Sequence, residues 1–582
     1  MTEPPSYTGQ SPARTRPYRV GVALLLLAGG ATLVAGWQLF WFLTDDAFIA
    51  FRYVSNSQLG RGYVWNPPPF LPVEGYTSFL WVALLDGVWR VTGLEPPVVS
   101  NWILLGCSLA SLGLSARLWL HILRFSPGRH ALLTLAVGLG FVVSNRTVLA
   151  WSSSGLETAL FNLLLHAWAC SLLLPRTPER RIARAAWCAS LLALTRPDGL
   201  LFCATTGPLV LWASLAGRPW TSGARTAIRV VAPFGLVVAH VLWRRAFYGA
   251  WLPNTYYAKV TGLHWETGIV YLASFVLEYA VWLPLVFILC ALAAAMGGVI
   301  TATRRRRTDD PPAETSRPRW MPGACTAVAV LTILAHVGYY VLVVGGDHFE
   351  FRIFSHLPPL LFAALIWALA ILPIPRRAKS AIMLATLLTS IPAPWTHWWL
   401  TNKISTRDQT IALQTPISPH WPAPVRWYAD LFDRSQRSLI SKLNCCRHQE
   451  HKIFYLHQKA YWPEREEGLN ISGDAIPVLV DPCVGVVSWS LPHVSIIDYL
   501  GLNDYVVART PPQHDYMAHS RTPPPGYALS FRPNVLVENR RVRVKLRDPP
   551  LDAMEVRQTE AYWRAWLDDK TTPKPPWPPP NS

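Results

Sequence analysis

VGVALLLLAGGATLVAGWQLFWFLTDDAFIAFRY, residues 20–53, decides the fold class. From Val20 to Leu43 no residue is charged, and a helix of about 20 apolar residues crosses a hydrocarbon core of ~30 Å. Arg14, Arg16 and Arg19 precede the run as they would in a signal peptide, but no small-residue cleavage site follows, so the segment reads as a retained anchor. The run stops on two adjacent carboxylates, Asp45 and Asp46. Two acidic side chains at a bilayer edge are costly unless cations or a ligand stand opposite them.

Working outward, apolar stretches of similar length recur as far as residue 395 and then cease. Of 582 residues, 51% are hydrophobic and 15% charged, against about 25% charged in an ordinary soluble domain. A single soluble core is thereby excluded. The net charge of +18 would suit nucleic acid, yet many arginines sit in short loops beside apolar spans, where membrane orientation accounts for them. Nucleic-acid binding is set aside. Of the 9 cysteines, Cys107, Cys170, Cys188, Cys203, Cys290 and Cys325 lie in or beside apolar segments and read as small hydrophobes. Cys445, Cys446 and Cys483 lie in the polar tail, where Cys483 could join either vicinal partner if that tail is extracytoplasmic. No metal-ligand spacing stands out.

Lys and Arg collect in loops left on the cytoplasmic side, so orientation can be tested. With the N-terminus inside, spans at about 20–43, 98–116, 131–150, 156–174, a short pair meeting at "TRPDG" (195–199), 228–247, 269–300, one before "GGDHFEFR" (345–352), 354–371 and one ending near Trp395 give about eleven crossings. Residues 77–93 are apolar but short and carry Asp86 and Arg90, which suits an interfacial helix. The loops around Arg117–Arg129, "RTPERRIAR" (176–184), Arg218–Arg229, "RRRR" (304–307) and Arg376–Lys379 then share one side. The motif-like loops share the other.

The expected organisation is a cytoplasmic disordered segment 1–19, a transmembrane domain 20–395 with an outer loop 44–97, an extracytoplasmic domain 396–570 and a disordered tail 571–582. Residues 476–491 and 494–508 mix β-branched runs with turn signals, as a small α/β domain does. The fold class is therefore a polytopic α-helical membrane protein with a C-terminal extracytoplasmic α/β domain.

On the outer face, one carboxylate of the Asp45–Asp46 pair could deprotonate an acceptor hydroxyl, and the other could orient it or hold a divalent ion, with Asp46 the candidate ligand. Adjacent helical residues point about 100° apart, so their roles differ. Which one is the base is left open. Arg52, Arg196, Lys259 and Arg352 come from four separate outer loops and together suit a phosphate, with His348 a further donor. Singly, each reads as an interfacial anchor. Glu74, Tyr76, Glu157, Asn254, Tyr256 and Asp347 are candidate contacts to sugar. No Walker loop, His-Glu-x-x-His or Gly-x-Ser-x-Gly occurs.

The ordered set "TDDAFIAFRY" (44–53), "GRGYVWN" (60–66), "VEGYTSFLW" (73–81), "SGLET" (154–158), "TRPDG", "LPNTYYAK" (252–259) and "GGDHFEFR", separated by hydrophobic spans, resembles the membrane glycosyltransferases of the GT-C superfamily. It is most similar to the terminal arabinofuranosyltransferase family of mycobacteria and their relatives. In the tail, "IIDYLGLNDYVVART" (496–510), "MAHSRTPPPGY" (517–527) and "FRPNV" (531–535) resemble the outer domain of that group. The resemblance implies a bacterial plasma-membrane enzyme that transfers a sugar, arabinofuranose in that family, from a polyprenyl-phosphate donor to a cell-envelope glycan. It implies a catalytic carboxylate at Asp45–Asp46, donor phosphate near Lys259 and Arg352, and in many members a divalent ion such as Mg, Mn or Ca. Retention of the donor's β configuration would need a carboxylate nucleophile or a front-face path. "WNPPPFLPVEGY" (65–76) is richer in Pro than that pattern and would reshape an acceptor groove. The alternative from another class is a transporter or flippase of lipid-linked glycans, for which repeated halves would be expected; none is evident.

Overall fold

In a computed structural model the described residues are 16–175, 177–215, 220–259, 262–306, 321–402, 404, 406–513, 520–538 and 540–568. Of the expected disordered ends 1–19 and 571–582, residues 16–19 are instead helical, opening Arg16–Leu39; residues 1–15 and 571–582, together with Arg176, Arg218, Arg307 and residues 517–519, lie outside the described residues.

The first apolar run forms the helix Arg16–Leu39. Among the described residues, five helical segments are long and apolar enough to cross a membrane: Arg16–Leu39, Pro96–Phe125, Ile228–Tyr248, Gly323–Val344 and Arg352–Ile371. Gly128–Val143 and Thr158–Leu173 are shorter apolar helices, and Pro178–Thr195 and Leu200–Leu215 form the short pair that turns at "TRPDG". The chain is thus a multi-pass helical protein, with fewer full-length crossings by this measure than the eleven expected.

The expected span 269–300 is not one helix. Trp265–Glu278 and Trp282–Arg306 meet at 100°. Pro284 explains the break, because its ring clashes with the carbonyl four residues back in a continuing helix, which here is Ala280, a residue with φ of +48°. Pro284 instead occupies the first turn of a new helix, where its missing N–H costs nothing.

Residues 77–93 form the helix Phe79–Thr92, closed by Gly93 in the left-handed region. Asp86 on this helix is buried and accepts hydrogen bonds from Ser57, Gln58, Tyr63 and Arg90.

In the tail, β1 (Val478–Asp481) and β2 (Ser495–Asp498) pair in parallel, Val478 opposite Ser495, across the helix Val484–Ser490. A hairpin of β3 (Val535–Glu538) and β4 (Arg541–Val544) follows. The α/β character is as expected, but the tail does not keep a core wholly to itself. Val484, Val487, Trp489 and Ile496 pack in one cluster with Phe48, Phe51, Tyr53 and Trp65 of the first loop. Phe70 of the Pro-rich stretch packs with Val478, Ile497, Tyr527 and Trp563, and the Leu71 N–H donates to Glu560 at 2.9 Å. The extra prolines therefore lie in a strap against the tail.

Candidate active site

The acidic pair is set by its local fold. Thr44 caps the helix Asp45–Gln58, its hydroxyl accepting the Ala47 N–H at 3.1 Å, and the two aspartates occupy the first turn, where negative charge suits the helix dipole. "SGLET" braces this turn from behind: Thr44 N–H donates to the Ser154 carbonyl at 3.1 Å and Ser154 N–H to the Phe42 carbonyl at 3.0 Å. Gly155 has φ of +77°, and a Cβ there would stand 2.8 Å from Ala47 and Leu43, so the brace requires glycine.

The two carboxylates differ in what they touch. Asp45 accepts the Gly485 N–H at 3.1 Å and the Val486 N–H at 2.7 Å, at the N-terminus of the Val484–Ser490 helix. A Cβ at Gly485 would overlap the Asp45 backbone carbonyl. Asp45 is therefore a tether to the tail. Asp46 is half-buried and has no hydrogen bond or ion pair among the described residues. Both line a cavity of about 700 Å³, shared with His348, Cys446, His451 and Cys483.

Burial pushes the Asp45 carboxyl up to about 7, against the two N–H donors and helped by the adjacent Asp46 charge. A carboxyl that holds its proton more tightly folded than unfolded contributes stability at low pH, lost as pH rises from its ordinary value of 3.8 through about 7. Asp45→Asn should remove that part of the decline. Thermal unfolding of wild type and variant across this range checks it, and parallel pH profiles would refute the assignment.

The cations Arg196, Lys259 and Arg352 are brought together, and the two arginines are neutralised. Arg352 donates twice to Asp347, at 2.8 and 3.3 Å, over the ring of Phe349. Arg196 donates to Asp198 at 3.1 Å, Glu157 at 3.2 Å and the Tyr340 hydroxyl at 2.6 Å. Lys259, ending the helix Asn254–Lys259, is exposed and has no hydrogen bond or ion pair among the described residues. It feels the charges of Asp46, Arg352, Asp347 and Arg196, with Asp46 foremost. Among the described residues, two neutralised Arg clusters thus stand near one anion, Asp46, and one cation, Lys259, that have no hydrogen bond or ion pair.

Other expected contacts have structural partners instead. Arg52 is fully buried and donates to the carbonyls of Trp65, Ser488, Leu491 and Val494, fastening the first loop to the tail rather than facing a phosphate. Glu74 is buried against Arg244. Tyr76 is buried with its hydroxyl 3.2 Å from that of Tyr248. The Asn254 amide donates to the carbonyls of Gly501, Leu502 and Asp504 and accepts from Arg509. Glu157 and Asp347 are the acidic partners of the arginines. Tyr256 is 45% exposed, and His348 lines the cavity. Polar side chains at a span's outer end serve the tail's docking as readily as a ligand, and sequence alone does not separate the two.

Asp46 belongs to no group of three ligating His, Cys, Asp or Glu side chains among the described residues. The nine cysteines are free. Sequence reading missed Gly485, Arg447, Cys446 and His451, which the tail brings to the pair or its cavity, and Glu350 of the "GGDHFEFR" loop, which pairs with Arg447; their one local signal is the five-residue spacing of Cys446 and His451.

No family model matches the chain. It is 30% identical over 283 residues to the terminal β-(1→2)-arabinofuranosyltransferase of Mycobacterium tuberculosis (strain ATCC 25618 / H37Rv), covering 46% of this chain and 43% of that protein. It is 28% identical over 351 residues to the protein of the same name from Corynebacterium glutamicum, covering 56% of this chain and 48% of that one. The chain thus spans about half the length of the curated relatives it matches. A solved structure, ArnT from Cupriavidus metallidurans bound to undecaprenyl phosphate, aligns with TM-score 0.43 and 13% identity over 83% of this chain and 86% of that one. Over about half its length, the chain is similar in sequence to the terminal β-(1→2)-arabinofuranosyltransferases of Mycobacterium tuberculosis and Corynebacterium glutamicum.

Proposed function

We propose that this protein transfers an arabinofuranosyl group from a polyprenyl-phosphate donor to a hydroxyl of a cell-envelope glycan, on the outer face of the bacterial plasma membrane. One observation carries the reading: Asp46, without a hydrogen bond or ion pair among the described residues, lines a cavity of about 700 Å³, large enough for a sugar, and its charge is the foremost one acting on Lys259. Asp46 takes the acceptor's proton. Lys259 faces the donor phosphate and stabilises the charge that develops on it as the glycosidic bond breaks. Arg352 and Arg196, held by their acidic partners, fix the field around that phosphate without supplying free charge. Asp45 has both oxygens engaged, so it holds the tail over the site rather than serving as a second reacting carboxylate. The N-terminus is cytoplasmic in this arrangement, and the tail, residues 396–570, forms the outer wall. The transporter alternative has no support among the relatives.

The test is incubation of the purified full-length protein with a panel of polyprenyl-phosphate pentoses and hexoses and an arabinan acceptor, read by mass spectrometry. One added pentose from the arabinofuranosyl donor is expected. Preference for a hexose donor would overturn the sugar, and donor binding without transfer from any of the panel would overturn the reaction.

A further inference from the structure

His348, Cys446 and His451 place one ligating atom each within 4.8 Å of one another. The arrangement is built into the fold. Cys446 N–H donates to the His348 carbonyl at 2.7 Å and Glu350 N–H to the Cys446 carbonyl at 3.0 Å, a parallel bridge centred on Phe349 and Cys446. This fixes His348 and Cys446 side by side although 98 residues separate them in sequence. His451 stacks on Phe349 with ring centroids 4.5 Å apart, is 8% exposed, and its Nε2 is buried without a hydrogen-bond partner among the described residues. An imidazole nitrogen buried without a partner costs free energy that a metal bond would offset. Arg407 donates to the Cys446 sulfur at 3.0 Å, which holds the thiol at the cavity wall.

We infer that His348, Cys446 and His451 bind a borderline divalent ion of the zinc class, with a fourth position open to the cavity that Asp46 lines. Two imidazoles and a thiolate are a nitrogen and sulfur set, which selects zinc or cobalt over magnesium or calcium. All three residues line the cavity of about 700 Å³, so the remaining position faces it and takes water or an oxygen of the occupant. This is the arrangement of zinc sites that keep one place free. It differs from the hard cation on Asp46 that the sequence suggested, in residues and in metal class.

Metal binding can be read without any sugar donor. Purified full-length protein, stripped with chelator and reloaded with zinc or cobalt(II) alone, should retain about one ion per chain, and the cobalt form should show thiolate-to-metal charge-transfer absorption in the near ultraviolet. Cys446→Ser should lose that absorption, and both it and His451→Gln should lower retention about tenfold or more. Cys483→Ser, in the same cavity but outside the trio, should bind as wild type does. Zinc should raise the unfolding temperature of wild type and of Cys483→Ser but not of Cys446→Ser, which separates lost binding from lost fold. Wild type that holds no ion, or Cys446→Ser with undiminished charge transfer, would overturn the site. Because no readout involves transfer, either outcome leaves the proposed reaction to its own test.

Discussion

Asp46→Asn is expected to lower transfer by about a thousandfold, within the range a positioned general base contributes, while leaving donor binding and expression near wild type. The argument rests on occupancy. Both oxygens of Asp45 are taken by the N–H groups of Gly485 and Val486, whereas Asp46 shares the cavity and has no hydrogen bond or ion pair among the described residues. An amide at 46 preserves size and loses the proton acceptor, so the effect falls on kcat rather than on donor affinity. Asp45→Asn is the control. It keeps one acceptor for the tether, so transfer should fall by about tenfold at most, through looser docking of the tail. Initial rates with labelled donor in membranes decide it. If Asp46→Asn keeps most of its activity and Asp45→Asn loses it, the roles are reversed and the hydrogen bonds to Asp45 are not those of the working state.

Much of this was legible in the sequence because it depends on local pattern. The uncharged run 20–43 gave the first helix, and "TRPDG" gave a turn between two short helices. Lysine and arginine placement brought Asp46, Lys259, Arg196, Arg352 and His348 to one region, where the structure also gathers the first four. What was not legible depends on pairing across long separations. Whether Arg52 faced a phosphate or four carbonyls was decided by residues 488–494, more than 400 positions away. The bend at Ala280 was a local signal overlooked, because Pro284 sits in a run whose hydrophobicity reads as one span. The soft-ligand trio was hidden for the same reason as Arg52: a histidine in one loop and a cysteine in the tail become neighbours through a backbone bridge alone.

Glu350, the acidic residue in "GGDHFEFR" that sequence reading passed over, carries the largest expected effect on stability. It pairs with both Arg146 and Arg447, Glu278 takes Arg146 at 2.7 Å and Gln436 at 3.1 Å, and all four charged side chains are at most 5% exposed. Two cations and two anions make the cluster neutral. It is nonetheless short of acceptors, since Nε and Nη1 of Arg146 and Nε and Nη2 of Arg447 have no hydrogen-bond partner among the described residues. Glu350→Gln keeps the shape and leaves one buried positive charge uncompensated, a change that costs about 3–5 kcal/mol. Thermal unfolding in detergent should show a clearly lower midpoint. Adding Arg447→Gln restores neutrality around the Arg146–Glu278 pair and should recover more than half of the loss, a coupling that independent sites would not show. A Glu350→Gln variant that melts with wild type would mean that the cluster takes up water or shifts its protons instead. The consequence reaches the cavity, because the Glu350 N–H holds the Cys446 carbonyl and the Trp151 indole holds the Glu350 carbonyl. Unfolding that begins at Glu350 therefore loosens His348 and Cys446 first, and loss of cobalt charge transfer should precede loss of helix signal as the temperature rises.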